Sequence, residues 1–585
     1  CREAVLRYKH KWDELTTKMG YWVDLDKPYI TFTNDYIETL WWCLKELYNK
    51  GFLYKSVSIQ PYSPAAGTGL SSHELNQPGT YRDVKDTSAT VLFQAKGDRF
   101  GHGDYYYMAW TTTPWTLPSN LGLTVGPNID YALVDTFNPY THERQKVVLA
   151  QALLGKYFKP EAENGDFNAF TPDQKLIPWK VLATKKGADL EGAHYERLLP
   201  FDANSLEAVQ AITPDAQPWR ILLGDFVTTE DGTGIVHTAP AFGADDYKVG
   251  KKYGIGILTL VDREGKFVDG VGPYSGRYIK DYKSAADYAD VNVDISVDLK
   301  KEGRAFKVEK YEHSYPHCWR TDKPVIYYPL DAWFIKTTAV RDRMVELNKT
   351  IRWKPESTGT GRFGAWLENM VDWNLSRSRY WGTPLPIWRT DDGSEEKCIG
   401  SIAELKAECD KALEAGVMSS LPFGEGWGGA DLHKPFVDEV VLVSDSGKPM
   451  RREPDLIDVW FDSGAMPYAQ WHYPFENKEQ FRKNFPADFI AEGVDQTRGW
   501  FYTLHALGVM LFDSVAYKSV VSNGLVLDKN GQKMSKRLGN VVDPFQTIDD
   551  FGADATRWYL VTNASPWDNL KFDLDGIREV QRKFF

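Results

Sequence analysis

The feature that most constrains how this chain can fold is a cationic loop fenced by ordered elements, Asn530-Gly531-Gln532-Lys533-Met534-Ser535-Lys536-Arg537-Leu538-Gly539-Asn540. Before it, Val520-Val521-Ser522-Asn523-Gly524-Leu525-Val526-Leu527-Asp528 has the pattern of strand, turn, strand, and Asn530-Gly531 is a tight-turn signal. After it, Asp543-Pro544 supplies an N-cap and a first-turn proline for a helix that Gly552 closes. Two lysines and an arginine around one serine suit a triphosphate whose charge moves between oxygens during reaction. The plain alternative is a solvated basic turn.

Upstream, Phe489-Ile490-Ala491-Glu492-Gly493 reads as a buried strand feeding a helix from Thr497 to Phe512. Doubly wound α/β sheets hold their ligands at such strand-to-helix turns. This turn and Asp458-Val459-Trp460-Phe461-Asp462-Ser463-Gly464 each pair carboxylates with an aromatic wall. An amino-acid pocket needs an apolar slot, an acceptor for ammonium and, for a ribose, an acidic residue. Trp460 and Trp500 could wall the slot, while Glu492 and Asp495 supply charge. Equally, both tryptophans could be core and both acids could cap the following helix.

Elsewhere, Asn34-Asp35 is expected to cap a helix with an apolar face of Ile37, Leu40, Trp41, Leu44 and Leu47, ended by Gly51. From Pro78-Gly79 to about residue 300 the texture is short strands and turns, with Tyr105 to Trp110 and Val147 to Ala150 as strands. Two motifs lie there. Trp110-Thr111-Thr112-Thr113-Pro114-Trp115-Thr116-Leu117-Pro118-Ser119-Asn120 is a run of hydroxyls held by prolines. Gly232-Thr233-Gly234-Ile235-Val236-His237-Thr238-Ala239-Pro240-Ala241-Phe242-Gly243-Ala244-Asp245-Asp246 carries one histidine and a terminal carboxylate pair. Together they could set a water on an ester while a carboxylate holds a substrate ammonium. No serine sits in a nucleophile elbow, so serine-hydrolase chemistry does not fit. A lone histidine in a β-rich domain also has a purely structural reading.

With 42% hydrophobic and 26% charged residues, the 585-residue chain has an ordinary globular composition and room for several domains. No apolar run approaches the roughly 20 residues that span a bilayer, so no membrane partner is expected. Five scattered cysteines argue against a disulfide framework and for a reducing, cytoplasmic setting. The net charge of −12 does not exclude a nucleic-acid partner, since a local basic stripe can bind a phosphate backbone.

Lys533 to Arg537 resembles the Lys-Met-Ser-Lys-Ser signature of class I aminoacyl-tRNA synthetases, with Arg537 in the last place. The order of the three late segments resembles the isoleucyl members. The resemblance implies an α/β chain: the second half of a Rossmann-type catalytic domain, a large inserted β-rich editing domain, and the start of a C-terminal helical domain. It implies ATP, with Mg2+, as substrate, bound by Lys533, Met534, Ser535, Lys536 and Arg537, with Lys533 and Lys536 catalytic. Trp460 and Trp500 would line an isoleucine pocket; Glu492, Gly493, Asp495 and Gln496 would contact the aminoacyl-adenylate, with Asp495 on the ribose. Trp373 to Gly382 also matches, its arginines facing tRNA or structural. The Thr- and His-containing motifs resemble the editing domain of isoleucyl, valyl and leucyl synthetases. Thr111, Thr112, Thr113 and Asn120 would form the pocket, His237 would exclude size or orient water, and Asp246 would hold the ammonium.

The implied parent joins isoleucine to its tRNA and hydrolyses mischarged valine; the rival readings are a valyl-tRNA synthetase and a free-standing trans-editing deacylase. A second site is needed because one methylene gives only ~1–3 kcal/mol of discrimination, a recognised limit for isoleucine against valine rather than a property read from this chain. The implied partners are isoleucine, ATP and isoleucine tRNA, with a monomer expected. The implied domains are 1–80, a segment before the insert; 81–305, editing; 306–545, the rest of the catalytic domain with a small insert near 391–447; and 546–585, the helical start.

Two departures stand out. Some relatives hold zinc between two Cys-x-x-Cys pairs; here the matching positions are Ser63, Ala66, Cys318 and Thr321, so no structural zinc is expected despite His313 and His317 nearby. No His-x-Gly-His sequence, which class I members need, occurs in the chain. Cys1 at the start and a helical pattern running into Phe585 lead to the expectation of an internal section, editing-competent at most.

Overall fold

The computed structural model describes every residue except 71, 76–78, 285–287, 424–429, 536–538 and 585. Lys536 and Arg537 therefore lie outside the described residues. The chain divides into two compact units, Val57–Asp331 and the pair Cys1–Ser56 with Ala332–Phe585. Among the described residues no helix is long and apolar enough to cross a membrane.

The Val57–Asp331 unit is organised by strand pairings that close on themselves. Tyr81–Lys96 pairs with His194–Tyr195, which pairs with Arg220–Leu223, then Gly122–Val125, Ile235–Thr238 and Tyr106–Thr111, which returns to Tyr81–Lys96. Closure removes the unpaired edges that an open sheet would leave on these six strands. Ala305–Pro316 lies outside Tyr81–Lys96, and Arg144–Ala150, Asp130–Phe137 and Lys180–Lys186 continue outward from Tyr106–Thr111. The sequence decides which side chains go inside by simple alternation. Val91 and Phe93, with Tyr107 and Ala109, point into the main core, while Leu92 and Met108 enter a second cluster with Ala132, Val134, Val147 and Leu149. Both faces of these strands are thus covered.

The other unit contains a parallel sheet in the order Arg352–Lys354, Ser519–Asn523, Ile490–Gly493. Ile490–Gly493 and Ser519–Asn523 are joined through the helix Trp500–Phe512, which is buried along nearly its whole length. This is a β-α-β unit, since parallel neighbours need a crossover. The architecture is therefore a mixed α/β chain, with a parallel-sheet layer in one unit and a β-rich barrel in the other. The helix Asn34–Asn49 buries the expected face, Ile37, Leu40, Trp41, Leu44 and Leu47, and Gly51 follows it with φ +72°.

Four local expectations change. Asn34 opens the 34–49 helix but does not cap it: Thr33 holds the N-cap position and the Asn34 amide instead donates to the Ala430 carbonyl at 2.7 Å. The strand at 490–493 is not buried; Ala491 and Glu492 are exposed because it forms the edge of the three-stranded sheet. A short 3-10 turn at Val494–Arg498 intervenes, so the helix begins at Trp500 rather than Thr497. Ser519–Asn523 and Val526–Leu527 are not hairpin partners; the first pairs in the parallel sheet and the second pairs with Leu570–Lys571. The chain reverses later, where Asp528 and Gln532 exchange a 2.9 Å bond across Asn530-Gly531 and Leu527 bridges to Lys533. Asp543 does cap Pro544–Phe551 through the backbone N–H groups of Phe545 and Gln546.

Gly234 sits at φ +76° just before the Ile235–Thr238 strand, and a Cβ there would overlap the Ala150 side chain. The substitution Gly234→Ala is expected to cost about 1–3 kcal/mol and lower the thermal transition of this unit. Gly155, with open space around it, is the control. Equal Tm shifts for Gly234→Ala and Gly155→Ala would refute the role of this close approach.

Candidate functional site

The barrel holds a cavity of about 400 Å3 lined by Thr111, Thr112, Thr113, His237 and Asp246 together with Trp110, Thr116, Phe226, Thr228 and Phe242. Two neighbouring strands bring the motifs together. Tyr106–Thr111 ends at the threonine run, and Ile235–Thr238 carries His237 alongside it, with Val236 paired to Trp110. The 3-10 turn Pro114–Ser119, started by a proline, folds the remaining hydroxyl back under the first. Thr111 and Thr113 hydroxyls lie 3.2 Å apart, and Thr113 N–H donates to Thr111 Oγ1 at 3.0 Å.

His237 is buried, with Nε2 3.0 Å from Thr116 Oγ1 and Nδ1 2.8 Å from Asn120 Nδ2. Both ring nitrogens are committed within the wall, which leaves no lone pair aimed at a water and removes His237 as a general base. Burial pushes its ring down to about 4, against a small opposing contribution from Thr116, so it is neutral at physiological pH. Asn120 stands behind His237, outside the cavity lining.

Asp246 sits in the first turn of the helix Ala244–Tyr253, and its Oδ2 accepts from the Ala239 N–H at 2.9 Å. Burial pushes its carboxyl up to about 7, partly offset by that hydrogen bond. A cation beside it would favour the ionised carboxylate. Gly243 allows this pose, because a Cβ there would meet the Asp246 carboxyl carbon at 2.9 Å.

In the other unit, Trp460, Glu492, Gly493, Asp495, Gln496 and Trp500 gather at the C-terminal end of Ile490–Gly493. Trp500 Nε1 donates to the Ser463 carbonyl at 2.9 Å, and Gln496 Oε1 accepts from the Trp500 N–H at 2.9 Å. Gly499 lets the Trp460 ring lie on this turn, since a Cβ there would meet it at 3.1 Å. Both indoles are half-buried rather than core. Glu492 is exposed as a residue, yet partial burial of its carboxyl and then the Asp495 charge raise it above the ordinary carboxylate value.

Lys533 lies in the stretch that follows the neighbouring strand. Ser535 N–H donates to Asn540 Oδ1 at 2.8 Å, Asn540 Nδ2 donates to Asp528 Oδ2 at 3.0 Å, and Met534 packs on the cluster of Phe551, Tyr559 and Phe572. Arg377 is turned inward, paired to Asp458 Oδ2 at 2.9 Å and donating to the carbonyls of Asn374 and Ser376.

Of the four positions weighed above for zinc, Cys318 is buried with Leu70, Leu75 and Val325. His313 Nε2 is 3.1 Å from Asp86 Oδ2, and His317 Nδ1 is 3.0 Å from the Tyr315 carbonyl. Among the described residues no group of three or more His, Cys, Asp or Glu is placed to hold a metal ion.

Sequence reading missed Thr116 and Tyr195 as parts of the barrel site. Thr116 lay inside a quoted motif, so helical spacing from Thr113 could have raised it. Tyr195 carries no local signal, since its contact to Asn120 spans 75 residues.

The family profile described as tRNA synthetases class I (I, L, M and V) matches residues 1–573. Similar curated proteins named Isoleucine--tRNA ligase include those of Cytophaga hutchinsonii, 63% identical, Bacteroides fragilis, 57%, and Clostridium tetani, 46%. Each match covers 100% of this chain but 53%, 54% and 50% of the relative, so the chain spans about half the length of the curated relatives it matches. Among solved structures, Agrobacterium radiobacter K84 agnB2 LeuRS in its ternary complex with tRNA and LeuAMS is 15% identical, with a TM-score of 0.41, covering 98% of this chain and 62% of that one.

The buried, neutral His237 gives a direct check. Its ring is expected to keep the NMR signature of the neutral form from pH 8 down to pH 5, because burial pushes its protonation down to about 4. The resonance is identified by its loss in His237→Gln. The unfolded ring gains a proton near 6.5 and the folded ring only near 4, so this group makes unfolding easier as pH falls between those values. A titration midpoint near 6.5 in the folded protein would refute the assignment.

Proposed function

The chain belongs to the class I tRNA synthetases (I, L, M and V), and from that premise we propose that it forms part of an enzyme that charges isoleucine tRNA and edits its own errors. In this reading ATP, with Mg2+, and isoleucine give isoleucyl-adenylate, the isoleucyl group passes to tRNA in the cytoplasm, and valine joined by mistake is hydrolysed. The choice of isoleucine is supported by relatives 46–63% identical that carry the name Isoleucine--tRNA ligase. The observation that carries the editing half is the barrel cavity, which combines threonine hydroxyls, a neutral histidine wall and a carboxyl poised near neutrality.

A valyl ester would place its ammonium on Asp246 and its carbonyl beside the Thr111–Thr113 hydroxyls. Water then adds at that carbonyl, the ester C–O bond breaks, and valine and intact tRNA leave. His237 acts as a rigid wall that limits side-chain size, because its nitrogens are already bonded. For synthesis, Trp460 and Trp500 wall the isoleucine slot, Gln496 holds the Trp500 turn and contacts the adenylate with Glu492 and Gly493, and Asp495 takes the ribose. Lys533 with Met534 and Ser535 would meet the phosphates; Lys536 and Arg537 complete the proposed clamp from outside the described residues.

The chain is expected to hydrolyse valyl-tRNA for isoleucine. The ionised Asp246 is the binding form and its carboxyl titrates near 7, so kcat/KM falls as pH drops below 7, by about tenfold per unit. Asp246→Asn abolishes that limb and weakens binding. Hydrolysis indifferent to Asp246→Asn would sink the site. The same chain is expected to give no isoleucine-dependent pyrophosphate exchange, since it holds no His-x-Gly-His; measurable exchange would contradict this.

A further inference from the structure

Behind the cavity wall, a line of buried hydrogen bonds has one self-consistent direction. Tyr195 belongs to the two-residue strand His194–Tyr195, is 2% exposed, and rests its ring edge-on against Phe93 at 5.2 Å. Its hydroxyl lies 2.7 Å from Asn120 Oδ1. An amide oxygen only accepts, so the phenol donates. The other end of the amide, Nδ2, is then free to give its two protons, one to the Gly122 carbonyl at 2.9 Å and one to His237 Nδ1 at 2.8 Å.

An NH2 group only donates, so His237 Nδ1 accepts and the ring proton sits on Nε2. That proton points at Thr116 Oγ1, 3.0 Å away, and Thr116 gives its own proton to the Thr113 carbonyl at 2.8 Å. Thr116 Oγ1 keeps a lone pair facing the Thr113 hydroxyl at 3.4 Å, and Thr113 in turn faces Thr111 at 3.2 Å. The order therefore runs from a residue outside the cavity to hydroxyls that line it. Low polarity around such a chain strengthens each bond and makes an unmade one costly.

We propose that Tyr195 is a positioning residue for the barrel site: its hydroxyl locks the Asn120 amide, which holds His237 as the Nε2–H tautomer and, through Thr116, sets which way the Thr113 and Thr111 hydroxyls present their protons and lone pairs to an ester. Its role in hydrolysis rests on the editing reading above; the direction of the hydrogen bonds does not. Tyr195→Phe keeps the ring in the core and leaves Asn120 Oδ1 without its donor. Only the Gly122 carbonyl then holds the amide's orientation, so the flipped pose is less costly than before and the tautomer the amide dictated shifts toward a mixture.

The test uses the whole chain with ring-15N-labelled histidine, the His237 signals being assigned by difference with His237→Gln. In the wild type the 15N shifts are expected to show Nε2 protonated and Nδ1 bare. In Tyr195→Phe they are expected to move toward an average of the two tautomers, with kcat for valyl-tRNA hydrolysis down about tenfold and KM unchanged. A wild type protonated at Nδ1 overturns the proposal outright and requires no folded variant. A Tyr195→Phe protein with wild-type 15N shifts and wild-type kcat also overturns it. A wild type that shows Nε2–H but leaves valyl-tRNA intact overturns the editing reading, and with it Tyr195's part in hydrolysis.

Discussion

Closure of six strands into a ring is the constraint on which the Val57–Asp331 unit depends. The threonine run, Asn120, Tyr195, His237 and Asp246 come from segments that share no local structure. Pairing Tyr106–Thr111 with both Tyr81–Lys96 and Ile235–Thr238 puts the threonines beside His237, and Gly122–Val125 between Ile235–Thr238 and Arg220–Leu223 carries Asn120 to the same end. A slip of one residue would turn each side chain to the opposite face, which burial on both sides and closure of the ring together forbid. The ring makes the register non-negotiable, and so makes the cavity reproducible.

Burial acts on two titratable groups of that cavity, His237 and Asp246, in opposite electrical senses. It disfavours the charged form of each, which lowers the His237 ring to about 4 and raises the Asp246 carboxyl to about 7. The outcome is that these two buried groups carry little charge of their own, while Asp231, also in the lining, is kept ionised by its pairing with Lys156.

The other unit meets its ligand question differently. Its candidate residues sit where a parallel strand ends and a helix begins, and glycines at 493 and 499 make room for the Asp495 carboxylate and the Trp460 ring. The strand that presents Glu492 is an edge, so the acids there stay near solvent, whereas the His237 ring and the Asp246 carboxyl of the barrel site are themselves buried. One chain therefore carries an exposed acidic turn and a hydroxyl-lined cavity.

Local chemistry was readable from the residues alone wherever the cause lay within a few positions. Asp543-Pro544 had to cap a helix, Asn530-Gly531 had to turn, and Tyr105 to Trp110 had to give a strand. The motifs that name the family lie in short contiguous runs, because each one serves a single piece of local geometry. What the residues could not say is which strands become neighbours. Ser519–Asn523 and Val526–Leu527 look like a hairpin yet pair elsewhere, and the Asn34 amide leaves its cap for a carbonyl 396 positions away. Tyr195 is silent for the same reason, since it meets Asn120 only after the ring has closed. The sequence thus determined the elements and the chemical groups, through propensity and spacing that act over a turn or two. The tertiary structure alone decided that His237 is a wall rather than a base, because the partners that occupy its two nitrogens arrive from distant strands and burial is a property of the whole fold.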